Sequence, residues 1–108
     1  MNLGNTSEDV ISISTTGEWP DAVRSEVLLK SDRLRVVRIV MAAGACLKEH
    51  SAPGDLLVQC CQGKVAFSLG QKLHTLEPGQ LIFVPDRLAH AVEAIENAQL
   101  LLTIALDS

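Results

Sequence analysis

Residues 63–85 read GKVAFSLGQKLHTLEPGQLIFVP, and the periodicity inside this stretch decides the fold class. Val65, Phe67 and Leu69 alternate with Lys64, Ala66 and Ser68, which puts an apolar row on one face of an extended segment. Alternation with period two is the mark of a half-buried strand. The chain turns at GQK, runs extended through LHTL, and turns again at EPGQ, where a Pro-Gly pair supplies the turn chemistry. LIFVP is apolar at every position, so the sequence predicts a strand covered on both faces.

The same rhythm continues in both directions. Downstream, HAVEAI alternates, ENAQ turns, and LLLTIAL carries Leu100, Leu102, Ile104 and Leu106 in phase. Upstream, SEVLLK and LRVVRIVM are separated by Ser31-Asp32, and AAGACLKEH runs into Pro53-Gly54, the signature of a type II turn. LLVQCCQG follows and ends at Gly63. No window of about 12 residues keeps a helical period free of Gly or Pro, so no helix is expected. The expectation is about eight to ten short strands with closely spaced turns, an all-β sandwich or small barrel.

A chain of 108 residues supplies one core, and 47% hydrophobic residues are enough to fill it. Residues 1–20 read as an extended N-terminal arm that Trp19 anchors, and residues 21–108 as the single barrel domain. A formal charge of −4 and a pI near 5.2 argue against nucleic acid as a partner. Arg33, Arg35 and Arg38 alternate with apolar residues and read as solvated strand faces. MNLGNTSEDV has no export pattern, and no apolar run approaches the roughly 20 residues of a membrane span. A cytoplasmic protein with no membrane partner is expected, its cysteines Cys46, Cys60 and Cys61 reduced.

Two glycine-to-glycine intervals resemble the paired motifs of the cupins. The first has the form G-x5-H-x-H-x(3–4)-E-x6-G and the second G-x5-P-x-G-x2-H-x3-N. Gly44 is followed by five residues and then His50, with Gly63 closing the interval; Gly79 is followed by five residues and then Pro85, with His90 beyond. The resemblance spans roughly residues 34–106. It implies a double-stranded β-helix, the cupin jelly-roll barrel of the RmlC-like superfamily. In metal-binding cupins, two histidines and the glutamate of the first motif join the histidine of the second as ligands. His50 and His90 match two of these; Ala52 stands at the second histidine, and Leu56 or Leu57 at the glutamate. Arg87 replaces the glycine of the second motif and Ala94 its asparagine.

A metal centre is therefore expected to be degraded, because alanine and leucine have no lone pair to donate. Asp55, next to Leu56, is the best substitute third ligand. The favoured expectation is a small-molecule-binding protein with no cofactor. Leu56, Val58, Cys60, Val65 and Phe67 would form the pocket wall, with His50 and His90 near the opening. The alternative implied by the resemblance is a metal-dependent enzyme, dioxygenase- or isomerase-like, with Fe, Mn, Ni or Zn on His50 and His90. Catalytic residues are not readable. Metal-free epimerases of the superfamily pair a histidine base with a tyrosine, and this chain has no Tyr. Leu57, Gln59 and Cys61 would face outward from a strand that turns Leu56 inward, so a second subunit is expected as cover and the protein as a homodimer.

Overall fold

The computed structural model describes residues 10–14, 17–50 and 54–106, apart from the side chain of His50. Nine strands are described: β1 (Val23–Lys30), β2 (Leu34–Met41), β3 (Cys46–His50), β4 (Leu56–Gln62), β5 (Val65–Leu69), β6 (Lys72–Leu76), β7 (Leu81–Val84), β8 (His90–Ala94) and β9 (Ala98–Ala105). They form two antiparallel sheets, one in the order β1-β2-β9-β4-β7 and the other β3-β8-β5-β6. The crossovers between sheets make the arrangement a jelly roll, as the sequence rhythm and the motif resemblance imply. No helix among the described residues is long and apolar enough to cross a membrane.

Alternation explains the core. Leu56, Val58 and Cys60 of β4 point inward beside Leu100, Leu102 and Ile104 of β9 and Val37, Ile39 and Met41 of β2. Val65 and Phe67 of β5, with Val92 and Ala94 of β8, face them from the other sheet. Full burial of one such large apolar side chain contributes about 1.5–3 kcal/mol. One end of the barrel is tightly closed: Met41, Val65 and Ala98 are each 0% exposed. At the other end Arg35, Leu69, Leu102 and Ile104 are only half-buried, and the barrel opens there.

Two glycines are needed for close approach. A Cβ on Gly63 would collide with the Asn97 carbonyl, and the residue sits at φ +79°. A Cβ on Gly54 would strike the Ala105 carbonyl, which fixes how closely the start of β4 packs on the end of β9. The type II turn expected at Pro53-Gly54 has its proline outside the described residues.

Three expectations need correction. β7 is not covered on both faces: it is the last strand of its sheet, and Leu81 and Phe83 remain 56% and 50% exposed on the outside. Arg35 is not on a solvated face, because it shares the inward face of β2 with Val37, Ile39 and Met41. Arg38 is on the outer face but half-buried beneath the arm: its Nη2 donates to the Ser12 carbonyl at 2.7 Å and its Nη1 lies 3.6 Å from Glu26. The Gln99 side-chain amide also reaches the arm, donating to the Ser14 carbonyl at 3.3 Å. These contacts lay residues 12–14 across β2 and β9; Trp19 is half-buried.

Candidate ligand site at the barrel mouth

The local fold of β3 decides which residues meet. Cys46 pairs with Glu93 and Leu47 with Val92, but the next pair is His50 with His90. Three steps on β3 therefore match two on β8. The extra residue is a β-bulge, a device that re-phases a strand. Without it Glu49, not His50, would be opposite His90. The sequence carries no signal for this shift, because Lys48 and Glu49 are ordinary exposed residues. On its other side His90 pairs with Leu69 of β5.

His90 is 3% exposed, a buried imidazole in an apolar barrel. Its ring lies parallel to that of Phe67, with centroids 5.8 Å apart and planes 5° from parallel. Nδ1 is 3.2 Å from the Leu88 carbonyl. A carbonyl oxygen only accepts, so Nδ1 carries a proton and donates in this contact.

A cavity of about 40 Å³ runs into the barrel from this end. Of the residues expected to form a pocket, Leu56, Val58, Phe67 and His90 line it. Ile39, Leu47, Val92, Leu100 and Leu102 complete the wall. Alternation within β4 and β5 and the motif histidines of β3 and β8 do not reveal these five, which reach the cavity from β2, β3, β8 and β9 through pairings distant in sequence. Cys60 and Val65 are buried but do not line the cavity. Cys60 belongs to the closed end, where its thiol donates to the Gln62 and Gly63 carbonyls at 3.6 Å. Burial pushes that thiol above its ordinary pKa, against the lowering effect of the Gln62 backbone bond.

Among the described residues, few donors that could hold a divalent ion face the cavity. Leu56, at the glutamate position, is buried and lines the cavity with hydrocarbon. Asp55 is exposed and on the opposite face of the chain from Leu56, and its Oδ1 accepts from the Asp86 amide at 3.0 Å. The structure thus does not bring Asp55 to His90, because the register of β4 does not slip. His74 shares the inward face of β6 with Leu76, paired with Phe67, and is half-buried. Among the described residues no three His, Cys, Asp or Glu side chains gather as a metal site. At the second-motif glycine position Arg87 keeps a left-handed backbone, φ 66°.

No family model and no curated protein matches the chain by sequence. Solved structures match it in fold. A cupin superfamily protein from Desulfitobacterium hafniense superposes with TM-score 0.79 at 20% identity, over 92% of this chain and 100% of that one. An RmlC-like cupin from Desulfovibrio desulfuricans gives 0.74 at 25% identity, over 97% and 96%. DMSP lyase DddQ from Ruegeria pomeroyi gives 0.75 at 23%, over 81% of this chain and 48% of that one. Nine strands in this order, the paired motif histidines and these superpositions together identify the chain as a cupin in fold, a single RmlC-like jelly-roll barrel.

Proposed function

We propose that this cupin binds a small organic molecule at the open end of its barrel and that its ancestral type of metal site is degraded. The observation that carries the reading is the cavity that, among the described residues, is lined by eight apolar side chains and the buried His90. Binding sites are commonly concave and apolar with a few placed polar groups, and His90 is such a group. The size of the cavity restricts what enters it. At roughly 10–15 Å³ per water-sized body, about 40 Å³ takes only the small end of a ligand, with the rest held at the mouth. The three free thiols support a reducing, cytoplasmic setting.

The metal-dependent alternative is favoured by one observation, the pairing of His50 with His90. The donors described above weigh against it, since two imidazoles give a first-row metal little grip. Elemental analysis of tag-free protein, beside a His50→Ala/His90→Ala double variant, separates the two. Near-stoichiometric metal in the parent and none in the variant would overturn the degraded-site reading. Thermal-shift screening of small metabolites then tests binding itself, and no stabilising compound in a broad set would count against it.

The reading includes a homodimer. Val36, Thr103, Leu57 and Phe83 stand in one cross-strand row on the outer face of the five-stranded sheet. Leu57 and Phe83 are exposed there and border a groove of about 400 Å³. A second copy of the chain is the cover such an apolar row needs.

A further inference from the structure

Arg35 is the one cation on the inward face of β2, and its surroundings are unusual for a guanidinium. Its Nε is fully buried and has no hydrogen-bond partner. Among the described residues no carboxylate pairs with it. Its cross-strand neighbour on β1 is Lys30, so two positive charges face each other across the ladder. Like charges placed directly opposite are destabilising, and a buried donor left unsatisfied is also unfavourable. On its other side Arg35 pairs with Ile104, which pairs with Leu56. Leu56 lines the cavity, so Arg35 belongs to the same inward-facing cross-strand row as a cavity residue, the outermost such row of the sheet.

We infer that the ligand is a small carboxylate, its head held by Arg35 with help from Lys30 and its short apolar tail turned over Ile104 into the cavity. This rests on the small-molecule reading above and names the ligand class. A carboxylate supplies what both cations lack, an acceptor, and can meet two guanidinium nitrogens at once in the two-point geometry favoured by arginine once the Arg35 side chain swings toward the opening. The cavity limits the tail. Space for about three water-sized bodies corresponds to a chain of about three carbons, the size of butyrate. Such a ligand has few atoms, so a dissociation constant on the order of 1 mM is expected.

The test is a titration of the full chain with butyrate, its neutral isostere butyramide, and inorganic phosphate, followed by the NMR signal of the Arg35 Nε–H. Butyrate should shift that signal and bind about 10-fold or more tightly than butyramide or phosphate. Arg35→Gln should weaken butyrate about 10- to 100-fold, the range for a hydrogen bond to a charged group. Lys30→Gln, at an exposed position that does not endanger the fold, should weaken it by at most about fivefold. Butyramide binding as tightly as butyrate, or full affinity in Arg35→Gln, would overturn the carboxylate inference while leaving the binding site in place. Phosphate matching butyrate would overturn the apolar tail. If none of the three binds, the carboxylate inference falls, and the broader metabolite screen then decides whether the binding reading falls with it.

Discussion

The imidazole of His90 and the ring of Phe67 lie 5.8 Å apart and 5° from parallel, so a histidine of the cavity wall is stacked on a core aromatic. Aromatic pairs contribute about 0.5–1.5 kcal/mol beyond the area they bury. A double-mutant cycle with Phe67→Leu and His90→Gln, followed by urea unfolding, should return a coupling energy in that range. Phe67→Ala alone should destabilise by about 3–5 kcal/mol, as emptying a core aromatic site does. A coupling of zero would mean that stacking does not hold His90.

Arg87 pays a conformational penalty that the motif glycine it replaces would not. A non-glycine residue in the left-handed region is disfavoured by about 1–2 kcal/mol, and Arg87 has φ 66°. Its side chain is exposed and makes only a 3.7 Å contact to its neighbour Asp86. Arg87→Gly should therefore raise stability, by about 0.5–1 kcal/mol after the extra freedom of glycine in the unfolded chain is deducted. A melting temperature below that of the parent would contradict this account.

Gly63 and Gly44 have nearly the same backbone, φ +79° and +86°, but different surroundings. Nothing lies within 4 Å of a Cβ built on Gly44, whereas one on Gly63 meets the Asn97 backbone. Gly44→Ala should cost about 1–2 kcal/mol, the conformational term alone. Gly63→Ala should cost clearly more, because backbone must move. Denaturant midpoints of the two variants give the comparison, and equal losses would remove the steric argument.

The three thiols should differ in reactivity and in their effect on stability. Cys46 is exposed, Cys61 half-buried and Cys60 buried, so a thiol reagent should modify them in that order, with Cys60 reacting only on unfolding. Burial raises the Cys60 pKa, and it raises that of Cys61 against the lowering effect of Arg38. The native state then holds these protons to higher pH than the unfolded chain does. Their contribution is complete below the unfolded value of about 8.5 and is lost as pH rises through the folded value. Stability should decline above about pH 8.5, and less steeply in Cys60→Ala; equal slopes in urea titrations would refute the assignment.

A charge in the outer row should abolish the proposed dimer. Phe83→Glu places a carboxylate at a half-exposed site outside the core. The variant should sediment as a folded monomer where the parent sediments as a dimer. A parent that is monomeric at 50 micromolar or above (on the order of the concentrations at which a standard interface of ~1,600 Å² is well occupied) would refute the assembly.

Much of the barrel was legible because alternation is a local property. Val65-Phe67-Leu69 announced their own face, and the glycine intervals brought His50 and His90 into view. What could not be read depends on partners distant in sequence. The exposure of Leu81 and Phe83, like that of Leu57 on the neighbouring β4, follows from the outer face of the sheet carrying no covering layer there, which no count of apolar residues reveals. The inward turn of Arg35 follows from its phase with Val37, and a solvated reading was natural for a charged residue in a strand. The meeting of His50 with His90 needs a bulge that leaves no mark in Lys48 and Glu49. Asp55 stands beside Leu56 in the sequence, but neighbours in extended chain turn to opposite faces, so this proximity does not bring its carboxylate to the cavity.

The barrel is sealed at the Met41, Val65 and Ala98 end and loosely finished at the Arg35 and Ile104 end. This gradient separates two kinds of position along each strand. At the sealed end a change of one methylene disturbs packing on every side. At the loose end a residue can be exchanged while the strands beneath it keep their register. A mutational scan should show tolerance rising along β2, β4 and β9 toward the opening. The same lengthwise division makes the rim the place to install new chemistry: Leu56→Glu would place a carboxylate beside the cavity while the sealed half continues to specify the fold.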